Sequence, residues 1–248
     1  MSRRRFYASP EQIIDASVSL SADEAHHLAR VVRLRIGDEA QVFDGEGREY
    51  RCRVAEIEKH SARLEVIDEI KDEVESPLRL TLAQALAKGE KFDLIVQKAT
   101  ELGVSAIVPI VTEHTDMKLS DDSSARRMDR WRRISMESLK QSGRRRLVEI
   151  KTPVALNEFV ESLVDSSTNL VMSERGGLPV RKALKGVDPN SDVIALIGPE
   201  GGWSDIEYEL FRSRGLTMIT LGPRVLRTET AAIAAVTLIQ HTVGDISK

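Results

Sequence analysis

The feature that most constrains this 248-residue chain is a change of hydrophobic rhythm near residue 72. Before it, Tyr50, Cys52 and Val54 alternate with Glu49, Arg51 and Arg53, and Ala62, Leu64 and Val66 alternate again. That is the period-two pattern of half-buried strands. Gln41-Val42-Phe43 runs into Asp44-Gly45, a hairpin signal. One short helix interrupts, opened by Ser21 with Glu24 as a capping box and given its apolar side by Leu28, Val31 and Val32. Short strands with a hairpin and little helix predict a small barrel. The charged stretch 68–77, ending in Ser76-Pro77, predicts a linker, so the chain divides into domains 1–72 and 73–248.

After Leu78 strands and helices alternate, which predicts an α/β sheet. Leu78, Leu80, Leu82 and Ala83 make a strand; Phe92, Ile95, Val96, Ala99 and Leu102 follow at helical spacing, closed by Gly103. Ile107 to Val111 is a second strand whose Pro109 suggests a sheet edge or an irregular end. The helix Arg126 to Ser142 sets Met128, Trp131 and Ile134 on one face and Arg126, Arg130 and Arg133 on another. Later strands are Leu170 to Met172, Val193 to Ile197 and Met218 to Leu221. The last helix, from about Glu229 to His241, is apolar almost all round and calls for burial in the core or against a second subunit.

Composition excludes several classes. With 41% hydrophobic residues and a net charge of −3, the chain is not disordered. No run approaches the ~18 to 20 apolar residues of a membrane span. Basic Arg3-Arg4-Arg5 is followed by no apolar region of the signal-peptide kind. A single cysteine, Cys52, allows no intrachain disulfide and no Cys-based zinc site, and points to a reducing cytoplasm. The five histidines show no metal spacing, so no metal is expected. The mild acidity hides clustering. Residues 126–146 hold nine basic groups, opposed within that window only by Asp129 and Glu137. Such a run is often a solvated helix face; with the arginines that open the chain, it favours a polyanion-binding surface.

Two strand ends carry the chemistry. Leu196-Ile197-Gly198-Pro199-Glu200-Gly201-Gly202 and Ile219-Thr220-Leu221-Gly222-Pro223-Arg224 both run from apolar strand to glycine to proline. Glycine permits close backbone approach to a ligand, and proline fixes the turn. At the ends of neighbouring strands, two such turns would form the crevice in which open α/β sheets bind ligands. Ser204 with Glu207 then caps a helix behind the first turn. No phosphate-binding G-x-x-x-x-G-K-[ST] or dinucleotide G-x-G-x-x-G is present, which argues against ordinary ATP or nicotinamide sites.

Taken with Arg5-Phe6, His27 to Val32, Gly37-Asp38, Phe43-Asp44-Gly45, Gln84-Ala85, Lys88-Gly89, Gln97 to Val104, Gln141 to Arg144 and Leu221 to Thr230, these turns resemble the ribosomal RNA small subunit methyltransferase E family. The family is of the SPOUT class and methylates N3 of a uridine, U1498, in 16S rRNA. His114 and Lys140 depart from the family pattern and are not carried over. The resemblance implies a PUA-like RNA-binding β-barrel over 1–72 and, over 73–248, a SPOUT α/β methyltransferase domain with a C-terminal trefoil knot. It further implies a homodimer and S-adenosylmethionine bound among Leu196, Gly198, Glu200, Gly201, Leu221, Gly222, Leu226, Thr230 and Ala231. Arg227 is the foremost catalytic candidate, stabilising or orienting the target base, with a salt bridge to Glu229 or a neighbour as its plainer role; Glu200 is the second. Arg4, Arg5, Arg33, Arg144, Arg145 and Arg146 are the expected phosphate contacts to 16S rRNA, its expected partner within the assembled small subunit. A SPOUT enzyme acting on another RNA site or a ribose 2′-hydroxyl, and an RNA-binding assembly factor without catalysis, are the competing readings.

Overall fold

In the computed structural model, residues 4–115, 121–164 and 166–247 are described. The chain forms two compact units: residues up to Glu75 together with Leu139–Leu147, and Ser76–Ser138 together with Val148 onward. The first boundary thus falls three residues later than the sequence pattern suggests, and the first unit takes in a stretch distant in sequence.

The first unit is a six-stranded sheet. Its strands are β1 (Arg5–Tyr7), β2 (Ile13–Ile14), β3 (Ser17–Leu20), β4 (Glu39–Phe43), β5 (Glu49–Ile57) and β6 (Ala62–Glu69), in the order β1-β4-β5-β6-β3-β2. Only β1 and β4 pair in parallel. Asp44 closes the β4–β5 hairpin by accepting from the backbone N–H groups of Glu46, Gly47 and Arg48 at 2.8 to 3.0 Å. Phe6, Val18, Leu28, Val42, Val54 and Leu64 fill the core, as the alternation requires. Cys52 lies in this core, and burial first, with the Asp68 charge second, pushes its thiol up to about 12.

Helix α1 (Ala22–His26) begins at Ser21, whose hydroxyl accepts from Glu24 N. The reciprocal half of the expected capping box is missing. The Glu24 carboxylate accepts instead from Tyr7 N at 3.3 Å and from Lys140 Nζ at 2.5 Å. A buried ammonium outcompetes a local cap. A π-helical turn continues to Val32 and ends at Arg33, whose φ of 61° is left-handed.

Leu139–Leu147 joins this unit through buried ion pairs. Glu49 accepts from Arg5 Nε at 2.6 Å and from Arg145 Nε at 2.8 Å. Arg5 also donates to the carbonyls of Leu139, Lys140 and Arg144. Glu75 accepts from the Arg144 guanidinium at 2.8 Å and from the backbone N–H of Arg145 at 2.6 Å.

The second unit is an all-parallel sheet. In chain order its strands are β7 (Arg79–Ala85), β8 (Ala106–Val111), β9 (Glu149–Ile150), β10 (Val154–Ala155), β11 (Thr168–Met172), β12 (Leu178–Pro179), β13 (Asp192–Ile197) and β14 (Thr217–Thr220). The order is β10-β8-β7-β13-β11-β14-β12, with β9 also on β8. Its helices are α2 (Lys91–Glu101), α3 (Asp121–Ser142), α4 (Leu156–Glu161), α5 (Val180–Ala183), α6 (Asp205–Ser213) and α7 (Thr228–Val243). Alternate residues of each central strand enter separate cores. Leu80, Leu82, Ala195, Ile197, Leu170 and Ile219 join a cluster with α2 and α7. Ala83, Val108, Leu196 and Val171 join one with α4 and α6. A parallel sheet covered on both faces needs this double burial. Pro109 faces the gap between β9 and β10, so its missing donor interrupts no ladder on that side. Helix α7 buries Ala232, Ala235, Val236 and Ile239, while Leu238 remains 40% exposed. Among the described residues no helix is long and apolar enough to cross a membrane.

Two outcomes follow. Glu49→Ala strands two buried guanidiniums and is expected to cost about 3–5 kcal/mol in a denaturant titration. Cys52 is expected to resist alkylation at pH 8 in the folded chain and to react promptly in guanidinium chloride.

Candidate active site

The site lies at the carboxyl ends of β13, β11 and β14, where open parallel sheets bind ligands. Sequence reasoning placed the two glycine–proline turns on neighbouring strands. The structure corrects this: β11 runs between β13 and β14, paired in parallel with both. Strand order in a parallel sheet is set by the crossovers and leaves no local trace in the sequence. The crevice is therefore three strand ends wide, and Met172, Ser173 and Glu174 enter its wall.

A cavity of about 600 Å³ opens there, in the range of small-molecule sites. Its floor comes from Ile197 and Gly198, its apolar walls from Trp203, Leu221, Leu226 and Ala231, and its polar edge from Glu174, Glu200, Arg224 and Arg227. Of the residues expected to bind cofactor, Gly198, Glu200, Gly201, Leu221, Gly222, Leu226 and Ala231 line it. Leu196 does not: it is fully buried in the core behind the sheet. Thr230 does not either; one turn into α7, it is exposed and outside the wall.

The turns are held from below. Thr228 Oγ1 donates to the Gly198 carbonyl at 2.7 Å and accepts from Gln84 Nε2 at 3.0 Å. Gln84 is completely buried, and its Oε1 has no hydrogen-bond partner among the described residues. The Trp203 indole lies against Gly198, where a Cβ would meet the ring at 3.2 Å, and its Nε1 donates to Met172 O at 2.8 Å. His114 packs on the first turn: a Cβ at Gly201 would fall 2.9 Å from His114 Cβ, and His114 Nδ1 lies 3.1 Å from Gly202 O. Gly202 and Gly222, at φ of 70° and 106°, hold left-handed conformations that other residues adopt at a cost. The Ser204–Glu207 capping box forms in full, and Glu207 also accepts from Glu113 N at 3.0 Å.

The two catalytic candidates differ. Glu200 accepts from Lys91 Nζ at 2.8 Å and from Lys88 N at 3.2 Å. Partial burial pulls its carboxyl upward, but the Lys91 hydrogen bond and charge with backbone donors outweigh this and hold it below the usual range. Glu200 is thus a paired carboxylate, poorly suited to accept a proton. Arg227 is the exposed N-cap residue of α7, lines the cavity, and has no ion pair among the described residues, so neither the salt bridge to Glu229 nor one to a neighbour is formed.

The expected phosphate contacts split. Arg4, Arg33 and Arg146 are exposed. Arg5, Arg144 and Arg145 are 2%, 7% and 5% exposed and bound to Glu49 and Glu75, so their guanidiniums are withdrawn from any external anion. Elsewhere in the basic run, Arg130 pairs with Asp93, Arg132 with Asp129 and Lys140 with Glu24. Carboxylates remote in sequence thus neutralise Arg130, Lys140, Arg144 and Arg145, while Arg126, Arg127, Arg133 and Arg146 have no ion pair among the described residues. Among the described residues no cluster of His, Cys, Asp and Glu could hold a metal.

Sequence reasoning missed Glu174, Trp203, Thr228 and Gln84. Gln84 and Thr228 stand inside motifs already singled out, but their pairing across 144 positions has no sequence signal.

The RNA methyltransferase domain family matches residues 74–240, and the RNA methyltransferase PUA domain family matches residues 20–67. Ribosomal RNA small subunit methyltransferase E of Synechocystis sp. is 36% identical over 237 residues, covering 95% of this chain and 76% of the relative. The enzyme of that name from Aquifex aeolicus is 32% identical, covering 90% and 93%. Among solved structures, ribosomal RNA small subunit methyltransferase E of Neisseria gonorrhoeae, bound to S-adenosyl methionine, superposes with a TM-score of 0.89 at 32% identity, covering 98% and 99%. A Legionella pneumophila methyltransferase in complex with the same cofactor gives 0.91 at 33% identity, covering 99% and 100%. With both domain families matched in order and relatives above 30% identity along nearly the whole chain, this protein belongs to the ribosomal RNA small subunit methyltransferase E family.

Proposed function

We propose that the chain uses S-adenosylmethionine to methylate N3 of a uridine in 16S rRNA, acting as a homodimer on the assembled small ribosomal subunit. The observation that carries this reading is the cavity at the ends of β13, β11 and β14, with Arg227, which has no ion pair among the described residues, at its edge, in a chain of this family. The sheet order, with β11 between the two glycine turns, accords with the knotted C-terminal segment expected of the class.

The cavity suits the cofactor in size and chemistry. Leu221, Leu226 and Ala231 offer an apolar surface for a purine. Gly222, with open space where a Cβ would project, leaves its backbone free to be approached. Glu174, which has no ion pair among the described residues, supplies negative charge for a cationic ligand. When bound, S-adenosylmethionine supplies an activated methyl group.

The protein's share is then positioning and charge control. Uridine N3 is a weak nucleophile until its proton leaves, and the resulting negative charge spreads over the two flanking carbonyl oxygens. Arg227 is the cation placed to stabilise that charge. Glu200, neutralised by Lys91, anchors the first turn to Lys88 and Lys91 and is not assigned the proton. N3 sits on the pairing edge of the base, so a paired target has to be opened before it reaches Arg227. Arg4, Arg33 and Arg146 supply phosphate contacts on the first unit. The half-exposed apolar side of α7, with Ile233, Ala234 and Leu238, supplies the subunit contact.

Nucleoside mass spectrometry of 16S rRNA from cells lacking this gene is expected to show loss of 3-methyluridine; its full retention would sink the proposal. Arg227→Ala is expected to keep cofactor affinity within several-fold while removing most turnover, and unchanged turnover would remove Arg227 from the site. Gly222→Ala forces a side chain into a left-handed conformation at about 1–2 kcal/mol and is expected to weaken S-adenosylmethionine binding in calorimetry.

A further inference from the structure

The loop between β14 and α7 carries an exposed surface that the cofactor reading leaves unused. Val225 is 83% exposed, the highest value among the exposed large hydrophobic side chains of the described residues. Arg224 precedes it and Arg227 follows two positions later; both are exposed, and neither has an ion pair among the described residues. Within the basic run, by contrast, Arg130, Arg132, Lys140, Arg144 and Arg145 are taken by carboxylates. The loop itself is well defined. Thr220 Oγ1 lies 3.2 Å from both Gly222 N and Gly222 O, Pro223 fixes the next φ, and Leu226 packs on the core. Arg224, Val225 and Arg227 all line the cavity.

An apolar side chain held in water between two unpaired guanidiniums matches one chemistry well: a nucleotide, with an apolar base face and an anionic phosphate. A base entering the cavity leaves a gap in its strand, and aliphatic side chains are suited to occupy such gaps.

We propose that Arg224 and Val225 form the RNA-gripping edge of the active site, Arg224 on a phosphate beside the target nucleotide and Val225 against the neighbouring base exposed when the target leaves the stack. This rests on the reading of the cavity as the site of RNA methylation. It assigns Arg224 and Val225 to substrate binding and leaves Arg227 to the reacting base.

The test uses the full-length protein with small-subunit particles lacking the modification. RNA affinity is measured across a salt series, S-adenosylmethionine affinity by calorimetry, mass by sedimentation, and KM and kcat by transfer of labelled methyl. Arg224→Ala is expected to reduce the slope of log affinity against log salt by about one, with cofactor affinity within twofold, and Arg224→Lys to restore the slope. Val225→Asp is expected to raise KM for RNA roughly tenfold, the worth of one aliphatic side chain. Wild-type slope and KM in both variants would overturn the proposal. So would a parallel loss of cofactor affinity, which would make the loop part of the cofactor wall, or a changed sedimentation mass in Val225→Asp, which would make the edge a protein contact. Failure of the wild-type chain to transfer methyl would instead overturn the reading of the cavity, because the RNA-affinity measurements need no turnover.

Discussion

The Thr228 hydroxyl donates to Gly198 at 2.7 Å and accepts from buried Gln84 at 3.0 Å, and on these two bonds the geometry of the site rests. Gly198 begins one turn, Thr228 ends the other, and Gln84 closes β7, so three segments meet at one oxygen. Each turn alone is a short glycine–proline bend. Tied together, they hold the cavity walls at fixed spacing before any ligand arrives, which is what transfer by positioning requires. The Trp203 indole braces the same turn from the β11 side, and His114 braces it again at Gly201 and Gly202.

Much of the fold is legible in the sequence because it is written in local periods. Tyr50 to Val54 announces a strand, Phe92 to Ala99 a helix, and Ser204 with Glu207 a helix start, each from groups within a turn or two of one another. What escaped is non-local. The insertion of β11 between the two glycine turns depends on crossover order, so Glu174 was invisible as a wall residue. Glu24 has every local reason to complete a capping box and instead binds Lys140, 116 positions away. Leu196 opens the site motif in sequence, yet strand alternation turns it to the opposite face.

Charge teaches the same lesson at larger scale. Nine basic residues in a 21-residue window read as a binding surface, but two of them, Arg144 and Arg145, are, like Arg5 near the start of the chain, interior groups whose carboxylate partners come from β5 and the segment before Ser76. Arginine suits that interior role: its planar fork binds Glu49 or Glu75 and still reaches several carbonyls. Among the described residues, exposed arginines without an ion pair include Arg126, Arg133 and Arg146 inside that window and Arg4, Arg33, Arg224 and Arg227 far from it. A count of local charge therefore overstates how many of the window's cations stand unpaired in solvent.

The placement of Trp203 gives the protein a built-in optical reporter. The chain has two tryptophans. Trp131 sits in the core cluster against Phe92 at 4.3 Å, away from the cavity wall. Trp203 stands in that wall, with its indole nitrogen committed to Met172 O and its ring edge-on to Phe211 at 4.9 Å. A purine settling near Trp203 changes the surroundings of one indole and leaves the other as an internal reference. Occupancy of the site can then be followed by the protein's own emission, with no label added to chain, cofactor or RNA.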